Sequence, residues 1–389
     1  MSLKSLSRLP FRAMRYAVNT WRNARPAAKR HGVSVWHIVR EQVALKRLNG
    51  LGADEYFYYG LDDPDTPWEE KLTCLGGART RSLWTVFTPE RYQHVFKNKL
   101  VFKHLFNSMS FPVAKLYAVY DPHWGHTTEG APFRNADDIA AWMANADVQD
   151  PVFKPVESAE GCMVLVMKGR KPSDPTKFVG VSGEEYSPER IVRYLNDPER
   201  LREAYPESEY NVPLRTFLVE QRLRQHPALT ELASETLCCA RFVTVTTLDG
   251  QVELLETAIK LQQDPSGVDN VIRGSVAVQV DPETGVLGTG LCATDGFHDR
   301  RRCFPGTDKE FTGFQLPMWK GAVELAESAA AAFPEAHSVG WDIAFTEEGP
   351  CIVEGNTAWG NFQIECQKGL WQGAYRETAE KLLAQRGKK

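Results

Sequence analysis

Two carboxylates and an amide stand at matching positions of a predicted hairpin near the end of the chain. Asp342 lies in its first strand, and Glu354 and Asn356 end the second. Side chains two residues apart on a strand point the same way, so all three can share one face. Hard oxygen ligands of this kind suit Mg²⁺, which binds through one or two carboxylates together with phosphates. A solvated hairpin end has the same composition, so the pattern alone leaves both interpretations open.

Two lysines upstream have the charge needed to meet phosphate oxygens. Lys99 follows Asn98 where a helix is predicted to begin, beside exposed backbone N–H groups that also favour anions. Lys154 lies in a short strand ahead of the loop Val156–Gly161, and such a loop can close over a triphosphate as a lid. A lysine binds phosphate as a point charge. Taken singly, each lysine is more simply a solvated surface cation.

A polar stretch at the end of a predicted strand can present backbone groups to an adenine ring. Its candidates are Glu220 and Leu223, and the alternative is an ordinary strand end. Arg241 begins a later strand, where an inward-facing arginine can stabilise a phosphoryl group or an oxyanion. Six more polar residues near predicted strand ends are candidates for substrate contact: Lys260, Asp269, Asn270, Arg273, Asp295 and His298.

The short nucleotide and hydrolase signatures are absent from the sequence. It contains no G-x-x-x-x-G-K-[ST] loop, no G-x-G-x-x-G fingerprint, no H-E-x-x-H and no G-x-S-x-G. Any nucleotide site must therefore be assembled from residues that are distant in sequence.

The elements that must position these residues are hairpins mixed with separated helices. Turn signals predict hairpins within Ala240–Lys260 and Val339–Glu354. Thr88-Pro89 predicts a helix start, with a break near Asn98. This mixture favours an α+β fold with largely antiparallel sheets over a doubly wound fold.

Composition bounds the class of protein. The 389 residues are 42% hydrophobic and 25% charged, which is typical of a soluble globular chain with two or three folding units. The net charge of -4 argues against a dedicated nucleic-acid binder. The eight cysteines show no metal-binding spacing, and no secretory segment is present, so reduced thiols and a cytoplasmic location are expected.

The first 40 residues form a basic arm, with nine lysines and arginines and no acid. The spacing of Met14, Val18 and Trp21 predicts an amphipathic helix over Pro10–Arg25 that ends at Pro26. A basic helix within residues 1–25 can lie on an anionic membrane surface. The alternative, and the more usual one, is that the apolar stripe packs on the body of the protein.

Four segments, in this order, resemble the nucleotide and metal pattern of the ATP-grasp superfamily. They are Asn98-Lys99, Lys154-Pro155, Glu220-Gln-Arg-Leu223, and Asp342 with Glu354-Gly-Asn356. Within it, the chain most resembles the sugar-transfer-associated ATP-grasp family. The segments that carry this resemblance are Gln225–Leu232, Val268–Asn270, Asp281–Gly285, Gly340–Ala344 and the stretch from Met14 to Tyr59.

The resemblance implies an ATP-grasp fold of two α+β lobes after a helical N-terminal region. It divides the chain into an N-terminal region at 1–95, a small lobe with its lid at 96–222, and a large lobe with the metal site at 223–389. It further implies ATP and Mg²⁺ as cofactors. The lid departs from the glycine-rich loops of the superfamily, because Glu157 and Glu160 would repel a triphosphate unless they point away or meet metal.

The function implied is that of a carboxylate–amine ligase which works through an acylphosphate. Lys99 and Lys154 would contact the phosphates, Glu220 and Leu223 would frame adenine, and Arg241 would stabilise the oxyanion. Asp342, Glu354 and Asn356 would hold the metal. The substrates would be small carboxylates and amines of envelope polysaccharide or related biosynthesis. A sugar or polyol kinase and a non-catalytic nucleotide-binding protein remain alternatives.

Overall fold

The N-terminal part of the chain is helical. The computed structural model describes residues 9–145, 147–158, 161–197, 199–200, 216–263, 275–292, 300–360 and 368–386. The first five helices of the described ranges are α1 (Leu9–His31), α2 (Val35–Asn49), α3 (Glu55–Tyr58), α4 (Trp68–Lys71) and α5 (Gly77–Phe87). Ser34 caps α2 by accepting the N–H of Trp36, and Gly50 ends it in the left-handed conformation that glycine tolerates best.

Helix α1 continues through Pro26, where the sequence predicted it to end. The side chains of Ala24, Ala27 and Ala28 around this proline are buried in the N-terminal core. Packing of this small-residue face offsets the cost of an interior proline, which is about 3 kcal/mol in an isolated helix. The predicted stop was therefore wrong, because tertiary contact overrules local propensity here.

Asn98 forms the corner between α6 (Glu90–Lys97) and α7 (Lys99–Ser108). Its extended backbone ends α6, and its side-chain oxygen accepts the N–H groups of Leu100 and Val101, each at 3.1 Å. The predicted helix break near this residue is confirmed. On α7, Phe102 and Phe106 share one face and are buried in a core, which leaves another face for lysines.

A seven-stranded sheet follows, in the order β2-β1-β7-β3-β4-β5-β6, with every neighbouring pair antiparallel. Its strands are β1 (Leu116–Tyr120), β2 (His126–Thr127), β3 (Pro151–Pro155), β4 (Leu165–Lys171), β5 (Asp174–Gly180), β6 (Glu185–Tyr186) and β7 (Phe217–Gln221). Helices α8 (Ala136–Asn145) and α9 (Pro188–Leu195) share its core with Phe153 and Val219. Because side chains alternate along a strand, Lys154 and Glu220 point to the opposite face.

A six-stranded sheet, also antiparallel throughout, has the order β11-β10-β9-β8-β12-β13. Its strands are β8 (Cys239–Thr246), β9 (Val252–Leu261), β10 (Val276–Val280), β11 (Leu287–Cys292), β12 (Ser338–Thr346) and β13 (Gly349–Asn356). The helix α10 (Pro227–Leu232) precedes it, α11 (Trp319–Ala331) packs on one face, and α12 (Gly373–Arg386) packs with α5 on the other. Both predicted hairpins are confirmed, and the fold is α+β with largely antiparallel sheets, as the sequence predicted.

No helix within the described ranges combines the length and the hydropathy that crossing a bilayer requires.

Candidate functional site

The hairpin β12–β13 brings Asp342, Glu354 and Asn356 to one face of the six-stranded sheet. Asp342 lies directly opposite Glu354, and Gly340 lies opposite Asn356. The Asn356 amide donates to Glu354 Oε1 at 3.1 Å. The three residues singled out as metal ligands are therefore neighbours in the folded chain.

Gly355 has a packing role between the acid and the amide. A Cβ atom at this position would lie 2.9 Å from the Trp341 ring, 3.0 Å from Phe96 and 3.1 Å from Phe102. These are rigid aromatic carbons in the core that the α6–α7 corner shares with the six-stranded sheet. Glycine therefore lets the corner approach β13 closely while Glu354 and Asn356 project to the other face.

Arg241 forms a two-pronged ion pair with Asp342, its cross-strand neighbour on β8. Its Nε donates to Oδ1, and its Nη2 donates to Oδ2 at 2.9 Å. Burial alone would raise the pKa of Asp342, but the charges of Arg241 and Lys260 outweigh burial and hold this pKa below its usual range. The carboxylate is therefore ionised at neutral pH.

Gly340 makes room for this arginine. A Cβ atom there would lie 2.9 Å from Arg241 Cδ and 2.9 Å from Trp359 Cβ. The predicted oxyanion-stabilising residue is thus next to the metal-binding candidates and paired with one of them. For Arg241 to meet a substrate, the guanidinium must share its contacts between Asp342 and the incoming group.

Lys99 links the lid to the acidic pair. Its Nζ lies 3.8 Å from Glu354 Oε2 and donates to the carbonyl of Ser158 at 2.8 Å. Burial lowers the pKa of Lys99, and the charge of Glu354 offsets only part of that effect. The sequence predicted exposed backbone N–H groups beside this lysine, and this prediction was wrong. The first N–H groups of α7 are not open to an anion, because that of Lys99 donates to the Val156 carbonyl at 2.9 Å and the next two bind Asn98.

Lys154 lies in a buried ion-pair network rather than in solvent. Its Nζ is 2.5 Å from Glu220 Oε1, and Lys103 Nζ is 2.7 Å from Glu220 Oε2. Burial would raise the pKa of Glu220, but Lys103 and Lys154 outweigh burial and lower it. Sequence reasoning missed Lys103, although it follows Lys99 by one helical turn on the same face of α7, a spacing that signals shared surroundings.

Glu220 and Leu223, the two residues predicted to frame adenine, lie in different environments. Glu220 lies inside the sheet, opposite Val152 of β3 and Leu116 of β1, and its side chain belongs to the lysine network. Its backbone is therefore interior strand and not an open edge. Leu223 lies two residues beyond the end of β7 and is half-buried, so the accessible backbone begins after the strand.

The described part of the lid rests on the α6–α7 corner. Glu157 is buried, and its Oε1 accepts a hydrogen bond from the Asn98 amide at 3.3 Å. This contact turns one of the two lid acids towards the corner. Glu160 lies outside the described residues, as do five of the candidate substrate contacts: Asp269, Asn270, Arg273, Asp295 and His298.

The donor set at the hairpin fits Mg²⁺. Within the described residues, no group of three or more histidine, cysteine or acidic side chains is placed to hold a metal. Asp342, Glu354 and the amide of Asn356 are instead two carboxylates with one neutral oxygen. Mg²⁺ requires no more from a protein, since phosphates and water complete its coordination.

A lysine of α7 thus lies beside the paired carboxylates of the six-stranded sheet, and the sequence matches a known family over the part of the chain that forms this site. The family model "Sugar-transfer associated ATP-grasp" matches residues 78–376. The class of the protein is therefore ATP-grasp. More narrowly, the chain belongs to the sugar-transfer-associated ATP-grasp family, and the resemblance noted in its sequence is confirmed. No curated protein matches the sequence.

Solved structures with detectable similarity are distant. A biotin carboxylase from Campylobacter jejuni is 9% identical, with 74% of this chain and 46% of that chain covered, at a TM-score of 0.42. A D-alanine–D-alanine ligase from Helicobacter pylori is 9% identical, with 75% and 61% covered, at 0.37. The D-cycloserine synthetase DcsG is 12% identical, with 80% and 77% covered, at 0.39. This chain spans less than two thirds of the length of the first two, and the family match alone carries the assignment.

Proposed function

We propose that this protein is an ATP-dependent carboxylate–amine ligase. The observation that carries the proposal is the approach of Lys99 to Glu354, at 3.8 Å, which joins the lysines beside the seven-stranded sheet to the acids of the six-stranded sheet. Cations and carboxylates converging from two lobes suit a metal-bound triphosphate. Membership in an ATP-grasp family supports ATP as the nucleotide.

Each site residue has a proposed task. Asp342, Glu354 and Asn356 would hold Mg²⁺, which when bound neutralises negative charge on phosphates. Lys99 would exchange the Ser158 carbonyl for a phosphate oxygen. Lys154, balanced by Glu220, would bring a second ammonium to the nucleotide. Backbone near Leu223 would frame the adenine ring.

The proposed reaction has two displacements. A substrate carboxylate oxygen attacks the γ-phosphorus, and the bond from that phosphorus to the bridging oxygen of ADP breaks. The amine nitrogen then attacks the acyl carbon, the carbon–oxygen bond to phosphate breaks, and the amide nitrogen loses a proton. Arg241 would stabilise the tetrahedral oxyanion, a contribution of roughly 3–4 kcal/mol for a well-placed donor.

One observation favours a different candidate, a nucleotide-binding protein without catalysis. Lys99 is occupied by Ser158, and Arg241 is occupied by Asp342, so both cations already have partners. In such a protein the site would hold nucleotide without assembling the contacts that turnover requires.

The assay that tests the proposal measures ADP release with panels of uronic acids, amino acids and amines, followed by product mass. A ligase releases ADP over many turnovers only when carboxylate and amine are both present, because the acylphosphate otherwise stays on the enzyme, whereas a kinase needs no amine. Nucleotide binding without ADP release under any mixture would support the non-catalytic candidate and contradict ours. We expect the product to be an amide, and we place the reaction in the biosynthesis of envelope polysaccharide or of related small molecules.

Substitution of the metal candidates tests the site itself. We expect Glu354→Gln to abolish turnover with little loss of fold, because its side chain is 31% exposed. Asp342→Asn should abolish turnover and also destabilise the protein, because it leaves Arg241 without its buried partner. ADP release, circular dichroism and thermal melting would be measured together, with Glu324→Gln on α11 as the matched control. Full turnover in both site variants would end the assignment.

A further inference from the structure

An exposed apolar patch covers α1 and the start of α2. The exposed fractions are 61% for Met14, 57% for Val18, 39% for Trp21 and 69% for Trp36. The rings of Trp21 and Trp36 meet edge to face, with centroids 5.4 Å apart. These four residues, here called the tryptophan patch, thus form one surface built from two helices.

The tryptophan patch is not the face by which α1 packs on the protein. Among the side chains of α1 that the structure describes, Thr20, Ala24, Ala27 and Ala28 are buried. At 100° per residue, this small-residue face is turned well away from Met14 and Val18. The sequence left open whether the apolar stripe packs on the body of the protein or lies at the surface. In the structure α1 packs through its small-residue face, and the apolar stripe is exposed.

The charges beside the tryptophan patch all have one sign along α1. Arg22, Arg25 and Lys29 are exposed, and the Arg25 guanidinium lies 5.2 Å above the Trp21 ring. The segment Leu9–His31 contains no acidic residue. A second copy of this chain would bring like charges together here, whereas an anionic surface complements them.

We propose that the tryptophan patch docks the protein on an anionic lipid bilayer. Tryptophan rings favour the boundary between headgroups and acyl chains, and basic residues around them are attracted to anionic headgroups. This surface extends the contact expected for residues 1–25 to Trp36 on α2. It is independent of the ligase proposal, because none of its residues belongs to the nucleotide site.

Vesicle co-sedimentation of the full chain tests this inference. The vesicles are phosphatidylcholine alone, or the same lipid with about one third phosphatidylglycerol, a fraction that gives a strongly negative surface. We expect binding to the anionic vesicles only, and weaker binding as salt screens the charges. No sedimentation with anionic vesicles at low salt would overturn the proposal.

Paired variants separate docking from general stickiness. The double variant Trp21→Ala and Trp36→Ala should lose binding, whereas Trp124→Ala, which removes a ring that is 50% exposed elsewhere, should not. The double variant Arg22→Gln and Arg25→Gln should weaken binding roughly fivefold per cation removed. Lys320→Gln, with a side chain 90% exposed on α11, is its control.

Two further outcomes would contradict the proposal. Equal binding by the tryptophan double variant and the wild type would remove the patch from the interface. Self-association in solution that the tryptophan double variant abolishes, measured by light scattering, would assign the patch to a second copy instead. Circular dichroism of every variant would show that loss of binding is not loss of fold.

Discussion

At Lys99, a buried ammonium lies between a carboxylate of one sheet and a lid carbonyl beside the other. Its surroundings lower its pKa below the ordinary value of 10.5, chiefly through burial. A lysine in this condition loses its proton at a lower pH than a surface lysine. Its charge state therefore matters to any anionic ligand that it contacts.

This residue predicts a pH dependence of nucleotide binding. Phosphate favours the protonated amine, so affinity should be full at pH values below the lowered pKa and should fall as pH rises through it. Calorimetry at a series of pH values up to the ordinary lysine pKa of 10.5 would measure the change. The control is Lys99→Arg, which stays charged and should bind with a flatter profile. An equally steep profile in this variant would assign the titration to another group.

At the scale of the element, the hairpin β12–β13 works because its two faces have opposite characters. On one face, Trp341 is part of the aromatic core, and core rings pack directly against Gly355. On the other face, Asp342 and Glu354 point to the site. Ladder geometry makes this division automatic, since successive side chains alternate. Packing of the core face against the aromatic rings therefore also fixes the positions of Asp342 and Glu354 on the opposite face.

The close approach at Gly355 predicts a specific loss of stability. Gly355→Ala places a methyl group against three core rings, and overpacking of this kind costs about 1–3 kcal/mol. Urea unfolding would measure the change in the free energy of unfolding. Gly169→Ala is the matched control, because a Cβ atom there meets nothing within 4 Å. An unchanged midpoint for Gly355→Ala would show that the corner relaxes without cost.

At the scale of the whole molecule, α7 is an element that contacts both sheets. Phe102 and Phe106 pack it into the core of the six-stranded sheet. Lys103 pairs with Glu220 of the seven-stranded sheet, which also pairs with Lys154. One helix thus packs its aromatic side chains on the six-stranded sheet and contributes lysines to ion pairs with both sheets.

The ionic side of this joint predicts a large effect for one substitution. Glu220→Gln leaves two buried lysines without a counter-charge, and breaking a buried pair in this way costs about 3–5 kcal/mol. Denaturant unfolding would measure it, with Glu235→Gln as control because that carboxylate is 59% exposed in its pair with Lys168. A loss no greater than the control's would mean that the network contributes little to the joint.

The same carboxylate predicts how stability responds to acid. The folded pKa of Glu220 is lowered, so its contribution is present above the unfolded pKa and is lost as pH falls through the folded pKa. The wild type should therefore lose stability towards low pH more steeply than Glu220→Gln. Unfolding curves from neutral pH into the acid range would compare them.

The sequence by itself determined the features that depend on local spacing. The turn signals and alternating side chains of the β12–β13 hairpin place Asp342 and Glu354 on one face, and the capping chemistry of Asn98 sets the α6–α7 corner. The ordered motifs also identified the family. These features follow from residues a few positions apart, where strand period and helix caps act directly.

Only the tertiary structure decided which distant groups became partners. Arg241 and Asp342 are 101 residues apart, and the contact between Asn98 and Glu157 spans 59 residues. No local pattern indicates that Glu220 neutralises two lysines or that the alanine face of α1 is the buried one. Such choices depend on how layers pack and on the free energy of burying charge, and both act between segments that the sequence holds apart.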